Sequence, residues 1–311
     1  MDLARLLIYN ASKQLDNIHF MIKLILTDYD GAYANQGGKV LAPARKLKEI
    51  LQKKGITVSL VSGRSIKEAS KIVKENQLSP IFIAELGAII SYGEEEIINH
   101  GDLKSYEDND NFLNCLSETN SHDAMYIVGA VDLLLEKAKT RKEKLLIFTP
   151  KDGRPGDPKN NIMNKRGTVL LRGNIDLKLF NKLLLNNFPY LEIVDNGFIE
   201  ISNSDETRDH AYHLVIKGAN KCSAAEIIQK RLNCSHNETM AVGDSLADLE
   251  LIRVSRKFML VKNSEVNPGI IIEKFKNSLS VDDTQGLVKK IFVTEKCGSL
   301  GWVEGLESII K

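Results

Sequence analysis

Short apolar runs alternate with helix-length amphipathic segments along residues 22–93. Ile22–Leu26, apolar but for Lys23, predicts a strand buried on both faces. Pro43 opens a helix in which Leu47, Ile50 and Leu51 repeat at i, i+3 and i+4, with Gly55 at its C-terminal cap position. Ile56–Val61 predicts a second strand, broken by Ser62-Gly63-Arg64-Ser65. Ile66–Leu78 reads as an amphipathic helix ended by Pro80, and Ile81–Ala84 as a third strand. This βαβαβ alternation predicts a parallel sheet with right-handed crossovers.

The pattern then changes. Glu94–Asp110 is polar and acidic and predicts a connection. Ala124–Lys139 predicts a helix with Ile127, Val128, Val131, Leu134 and Leu135 on one face. Leu145–Thr149 and Thr168–Arg172 predict strands, separated by Pro150–Gly167, which is rich in Lys, Arg, Asn, Gly and Pro. A helix over Leu177–Asn187 follows. Leu191–Val194 and Phe198–Ile201 then read as a hairpin around Asp195-Asn196-Gly197. The order is αββαββ. From His213 onward the first alternation returns: helix Ala224–Leu232, strand Met240–Gly243 running into Asp244-Ser245-Leu246-Ala247-Asp248, and strand Phe258–Val261. The expected fold is α/β: a Rossmann-like three-layer core with a parallel sheet, carrying an inserted α+β cap domain. The expected divisions are an N-terminal extension over 1–20, core over 21–100, cap over 101–205 and core again over 206–311.

Composition narrows the function classes. With 311 residues, 43% hydrophobic and 27% charged, the chain has ordinary globular values for two domains. A formal net charge of +1 excludes a strong electrostatic footprint for nucleic acid or an anionic membrane. The four cysteines, Cys115, Cys222, Cys234 and Cys297, show no CxxC spacing, so a reducing cytoplasm is expected rather than a zinc or disulfide framework. No apolar run is long enough to span a bilayer. Residues 1–20 lack the apolar run and cleavage site of a signal peptide. Met21 is an alternative start, and a docked helix an alternative to an extension.

The candidate chemistry begins at Asp28-Tyr29-Asp30-Gly31. Residues i and i+2 of a strand point to one side, so Asp28 and Asp30 leave the sheet together, at the edge where open α/β sheets bind ligands. Adjacent carboxylates repel, and such a pair shares a cation or divides the work of nucleophile and proton carrier. Read alone, the segment is equally an Asp-Gly turn. Three further fragments fall at strand ends: Ser62-Gly63-Arg64, a lysine at 217 or 221, and Gly243-Asp244-Ser245-x-x-Asp248.

In this order, with the insertion between the second and third fragments, the chain resembles the haloacid dehalogenase superfamily of phosphohydrolases over residues 22–311. It lies near the branch of Cof-type, sucrose-phosphate, mannosyl-3-phosphoglycerate and trehalose-phosphate phosphatases. The resemblance implies Asp28 as nucleophile and Asp30 as general acid and base. It implies Ser62 on a phosphoryl oxygen, and a lysine that neutralises charge. Lys221 fits that lysine by position, although Cys222 stands where relatives have glycine; Lys217 does have glycine after it. Mg²⁺ would be held by Asp28, Asp30 through its main-chain carbonyl, and Asp244, with Asp248 supporting the metal or the lysine. Gly63, Arg64 and Asn263 would border the substrate. Ala32, Leu86 and Ala247 depart from the family's Thr, Asn and Asn. The basic cap residues Lys151, Arg154, Lys159, Lys165 and Arg166 would face the mouth of the site. The implied activity is Mg²⁺-dependent hydrolysis of a small phosphorylated metabolite such as a sugar phosphate, through an aspartyl-phosphate. A phosphomutase and a catalytically weak metabolite-binding protein are the alternatives.

Overall fold

The computed structural model describes residues 22–106, 109–147, 165–198, 209–262, 267–279 and 286–310. Residues 1–20, Lys151, Arg154, Lys159 and Asn263 lie outside them. Five parallel strands form the central sheet: β1 (Leu24–Thr27), β2 (Thr57–Leu60), β10 (Thr239–Gly243), β11 (Lys257–Lys262) and β12 (Ile291–Cys297), in the order β12-β11-β10-β1-β2. All four residues of β1 are buried, as an apolar run between two layers requires. Its side chains alternate between two separate cores. Ile25 packs with Ala44, Leu47, Ile72 and Trp302 on one face, whereas Leu24 and Leu26 pack with Ala224, Ile228, Ile252 and Phe275 on the other. The helices Ala42–Lys53, Ile66–Asn76 and Gly298–Ile310 cover the first face; Lys221–Leu232 and Pro268–Ser278 cover the second. The α/β three-layer core is therefore as the periodicity predicts.

The third predicted strand, β3 (Ile81–Ala84), joins this sheet through a parallel bridge between Val61 and Ile83 and a Ser59 hydroxyl that donates to the Ile81 carbonyl at 2.7 Å. Its other edge pairs antiparallel with β4 (Ile89–Tyr92), which pairs with β5 (Glu95–Ile98). Strand β5 occupies the start of the Glu94–Asp110 segment read from sequence as a polar connection. Glu95 and Glu96 are exposed on the last strand of that sheet, where charge guards an open edge.

The inserted domain has its own core around Phe112, Leu134, Leu171, Phe180 and Leu214. Its sheet is antiparallel, with β6 (Lys144–Ile147), β7 (Val169–Asn174), β8 (Leu191–Phe198) and β9 (His210–Ile216) in the order β6-β7-β9-β8. Three features correct the sequence reading. The single helix expected over Ala124–Lys139 is two, Ser121–Ile127 and Ala130–Arg141, because Gly129 adopts φ +80 between them. Asp195-Asn196-Gly197 is not a turn but lies within β8, at a register shift against β9. Finally, β9 belongs to the cap sheet, so this sheet extends past residue 205 and the core resumes at the helix beginning with Lys221. Among the described residues no helix is long and apolar enough to cross a membrane.

Candidate active site

Parallel register assembles the site. Thr27 stands opposite Val242 and Leu60, so the residues that follow on the three strands emerge side by side: Asp28, Gly243-Asp244 and Val61-Ser62. This is the carboxyl edge of the sheet, where such folds bind ligands. Trp302 braces the edge from below, its indole N–H donating to the Thr27 hydroxyl at 3.0 Å, while that hydroxyl donates to the Asp28 carbonyl at 2.9 Å.

Lys221 is the lysine that reaches this edge. It opens a helix capped by Asn220, whose side-chain oxygen accepts from the amides of Cys222 and Ser223 at 2.9 and 3.0 Å. Its buried ammonium donates to Asp248 at 2.5 Å and to Asp28 at 3.4 Å. Burial alone would lower its pKa; Asp248 and Asp28 outweigh that and hold it above the ordinary lysine value. Lys217 instead lies 6.0 Å from the Tyr106 ring centroid. The other Asp248 oxygen accepts from the amides of Asp244 and Ser245 at 3.3 and 3.2 Å and from the Ser245 hydroxyl at 2.6 Å. Asp248 is thus a buried hub that fixes both Lys221 and the loop carrying Asp244.

Asp28, Asp244 and Asp248 form one cluster, with a carboxylate oxygen of each within 4.8 Å of the others. Burial raises the Asp28 pKa well above the usual carboxylate range; Asp248 pushes the same way, and Lys221 opposes both. Asp244 packs on Gly31 at a distance only glycine permits, since a Cβ there would lie 2.0 Å from an Asp244 oxygen. An all-oxygen set of three carboxylates fits a hard divalent cation.

The Asp30 side chain lies apart from this cluster, gripped by the Arg64 guanidinium at 2.8 and 2.9 Å. Arg64 therefore engages the second aspartate, with Glu68 at 3.7 Å and the Tyr29 ring at 5.8 Å. Ser62 is buried, and its hydroxyl accepts from the Arg64 amide at 3.1 Å. Gly63 is approached from both domains. A Cβ there would meet Leu86 of the core at 3.2 Å and Asn196 of the cap at 3.3 Å. Lys165 of the cap donates to the Gly63 carbonyl at 2.5 Å. Arg166 points elsewhere, to Glu96, and so leaves the mouth of the site. Ala32 is fully buried in the core beside Tyr33.

Two residues escaped the sequence reading. Asn196 drew notice only as part of a turn. Glu85 is fully buried, and a lone carboxylate in the apolar run Pro80–Ile90 is the signal that marks it.

A family model described as haloacid dehalogenase-like hydrolase matches residues 25–286. The chain belongs to the haloacid dehalogenase-like hydrolases. It is an enzyme of the phosphatase type within that family. It is 26% identical to a phosphoglycolate phosphatase of Staphylothermus marinus, over 79% of this chain and 87% of the relative. It is 23% identical to a glucosyl-3-phosphoglycerate/mannosyl-3-phosphoglycerate phosphatase of Persephonella marina, over 92% and 97% respectively. The fold is similar to that of the Synechocystis sucrose-phosphatase, with a TM-score of 0.57 at 14% identity, covering 93% of this chain and 98% of the other. A haloacid dehalogenase-like hydrolase from Bacteroides thetaiotaomicron gives 0.57 at 16% identity, covering 93% and 99%.

Proposed function

We propose that this haloacid dehalogenase-like hydrolase is a cytoplasmic, Mg²⁺-dependent phosphatase of small phosphorylated metabolites of the sugar-phosphate type. The observation that carries the reading is the Lys221 ammonium held between Asp28 and Asp248, with Asp244 alongside. Two relatives named as phosphatases of phosphorylated metabolites support it.

An Asp28 oxygen attacks phosphorus. An Asp28–phosphorus bond forms as the bond to the leaving alcohol breaks, and Asp30 gives that alcohol its proton. Asp30 then takes a proton from water, which attacks phosphorus and releases Asp28 and inorganic phosphate. Lys221 and the Ser62 hydroxyl offset charge on the transferring group. Gly63, next to Ser62 and approached by the cap, would border the substrate, and Arg64 holds Asp30 in position. Mg²⁺ held by Asp28 and Asp244, with Asp248 beside them and the main-chain carbonyl of Asp30 as a further oxygen, would screen the repulsion between nucleophile and phosphate.

The test is phosphate release across a panel of sugar phosphates and phosphorylated hydroxy acids, with Mg²⁺ or with EDTA. Release that requires Mg²⁺ and disappears in Asp28→Asn is expected. Full activity of that variant, or isomerisation without release, overturns the reading.

A further inference from the structure

The reaction sequence leaves Glu85 without a task, although among the described residues its carboxylate is the most heavily bonded at the boundary between the two domains. One carboxylate oxygen accepts from the amides of Arg166, Gly167 and Thr168 at 3.1, 2.9 and 3.2 Å, and from the Thr168 hydroxyl at 3.4 Å. The other accepts from the Arg166 amide at 3.1 Å and the Ile66 amide at 3.4 Å. Three consecutive cap amides thus converge on one core carboxylate, the arrangement by which backbone N–H groups hold anions.

Two other observations place the same contact under constraint. Glu85 and Leu86 both adopt left-handed backbone, φ +52 and +59, a conformation that costs a non-glycine residue energy and persists where the surroundings impose it. From the cap side, a Cβ on Gly167 would lie 2.4 Å from the Ala88 methyl, so the segment packs at a distance only glycine permits. Within the cap, the His213 ring nitrogen lies 3.3 Å from the Thr168 hydroxyl and fixes the end of the segment to its own sheet. The segment held in this way begins with Lys165, whose ammonium reaches the Gly63 carbonyl in the Ser62-Gly63-Arg64 loop.

We propose that Glu85 is a positioning residue that seats cap segment 165–168 on the core and so holds the cap over the Ser62–Arg64 loop, where the leaving group of the substrate lies. The inference rests on the phosphatase reading for its kinetic arm alone. Substrates whose leaving group is enclosed by the cap depend on Glu85. A small aryl phosphate, which offers the cap little to enclose, depends on it less.

The experiment compares the full-length protein with Glu85→Gln and Gly167→Ala. Glutamine keeps the shape of Glu85 but turns an amide N–H₂ toward donors, and alanine keeps the carboxylate while pushing the segment away. Amide hydrogen exchange at 166–168 is expected to quicken about tenfold or more in both variants, the scale set by losing one buried acceptor. The ratio of kcat/KM for the metabolite to kcat/KM for p-nitrophenyl phosphate should fall about tenfold, through metabolite KM. Unchanged exchange in both variants, or an equal decline of both activities with the ratio constant, overturns the proposal. If wild-type protein releases phosphate from nothing in the panel, the phosphatase reading fails while the exchange measurement still decides the seat of the cap.

Discussion

The Arg64 guanidinium forks onto Asp30, with Nε on one carboxylate oxygen and Nη2 on the other. Both side chains are about a third exposed, at 37% and 36%. A pair so open to water contributes about 0–1 kcal/mol to stability, so its value is the orientation of Asp30. Arg64→Lys keeps the charge but cannot fork. We expect an almost unchanged melting temperature. We also expect kcat to drop on the order of tenfold, part of the roughly 10²–10⁴ that a positioned proton carrier supplies. Thermal melts and steady-state kinetics on the same preparation check both.

Lys221 behaves in the opposite way because it is buried between two carboxylates. Lys221→Met leaves Asp28 and Asp248 facing each other without a cation. Removing one partner of such a cluster costs about 3–5 kcal/mol, and losing its charge at the phosphoryl group costs a factor of about 10²–10³ in turnover. Urea unfolding should show the first effect and phosphate release the second, with saturating Mg²⁺ restoring part of the stability.

The convergence of Asp28, Asp244 and Asp248, one oxygen of each within 4.8 Å of the others, predicts that a divalent cation binds the folded chain alone. At a hundred times its Kd such an ion adds about 2.7 kcal/mol. Melts in Mg²⁺ and in EDTA should differ accordingly. Asp244→Asn should remove most of that difference while keeping the fold.

His213 is fully enclosed; burial, reinforced by Lys165 and Lys221, holds its pKa well below 6.5. In the unfolded chain the ring titrates near 6.5, so below that pH the unfolded state binds a proton that the folded state refuses. Stability is therefore complete above pH 6.5 and falls as pH drops below it, by about 1.4 kcal/mol per pH unit at most. Unfolding at pH 7.5 and 5.5 should show a larger loss for wild type than for His213→Asn.

The βαβ periodicity of residues 22–84 and the strand-end positions of Asp28, Ser62 and Asp244 were legible in the chain because each rests on neighbours within one element. Strands that bury both faces need apolar runs, and residues leaving a parallel sheet at one edge must follow those runs. The β4–β5 hairpin was not legible, since Glu95 and Glu96 look like loop residues until an open sheet edge explains them. Asp195-Asn196-Gly197 is a strong local turn signal, yet pairing with the strand His210–Ile216 turns it into a bulge. There the long-range ladder outweighs the preference of three residues.

By itself, then, the order of strands and carboxylates determined the α/β class and the strand ends from which Asp28, Ser62 and Asp244 emerge, because periodicity and strand register act over a few residues. Only the tertiary structure decided between Lys217 and Lys221, gave Arg64 to Asp30, made Asp248 the hub beneath the lysine and set Glu85 against the cap. Each of these depends on which charges are buried together, and burial of distant groups against one another is settled by the packing of whole layers.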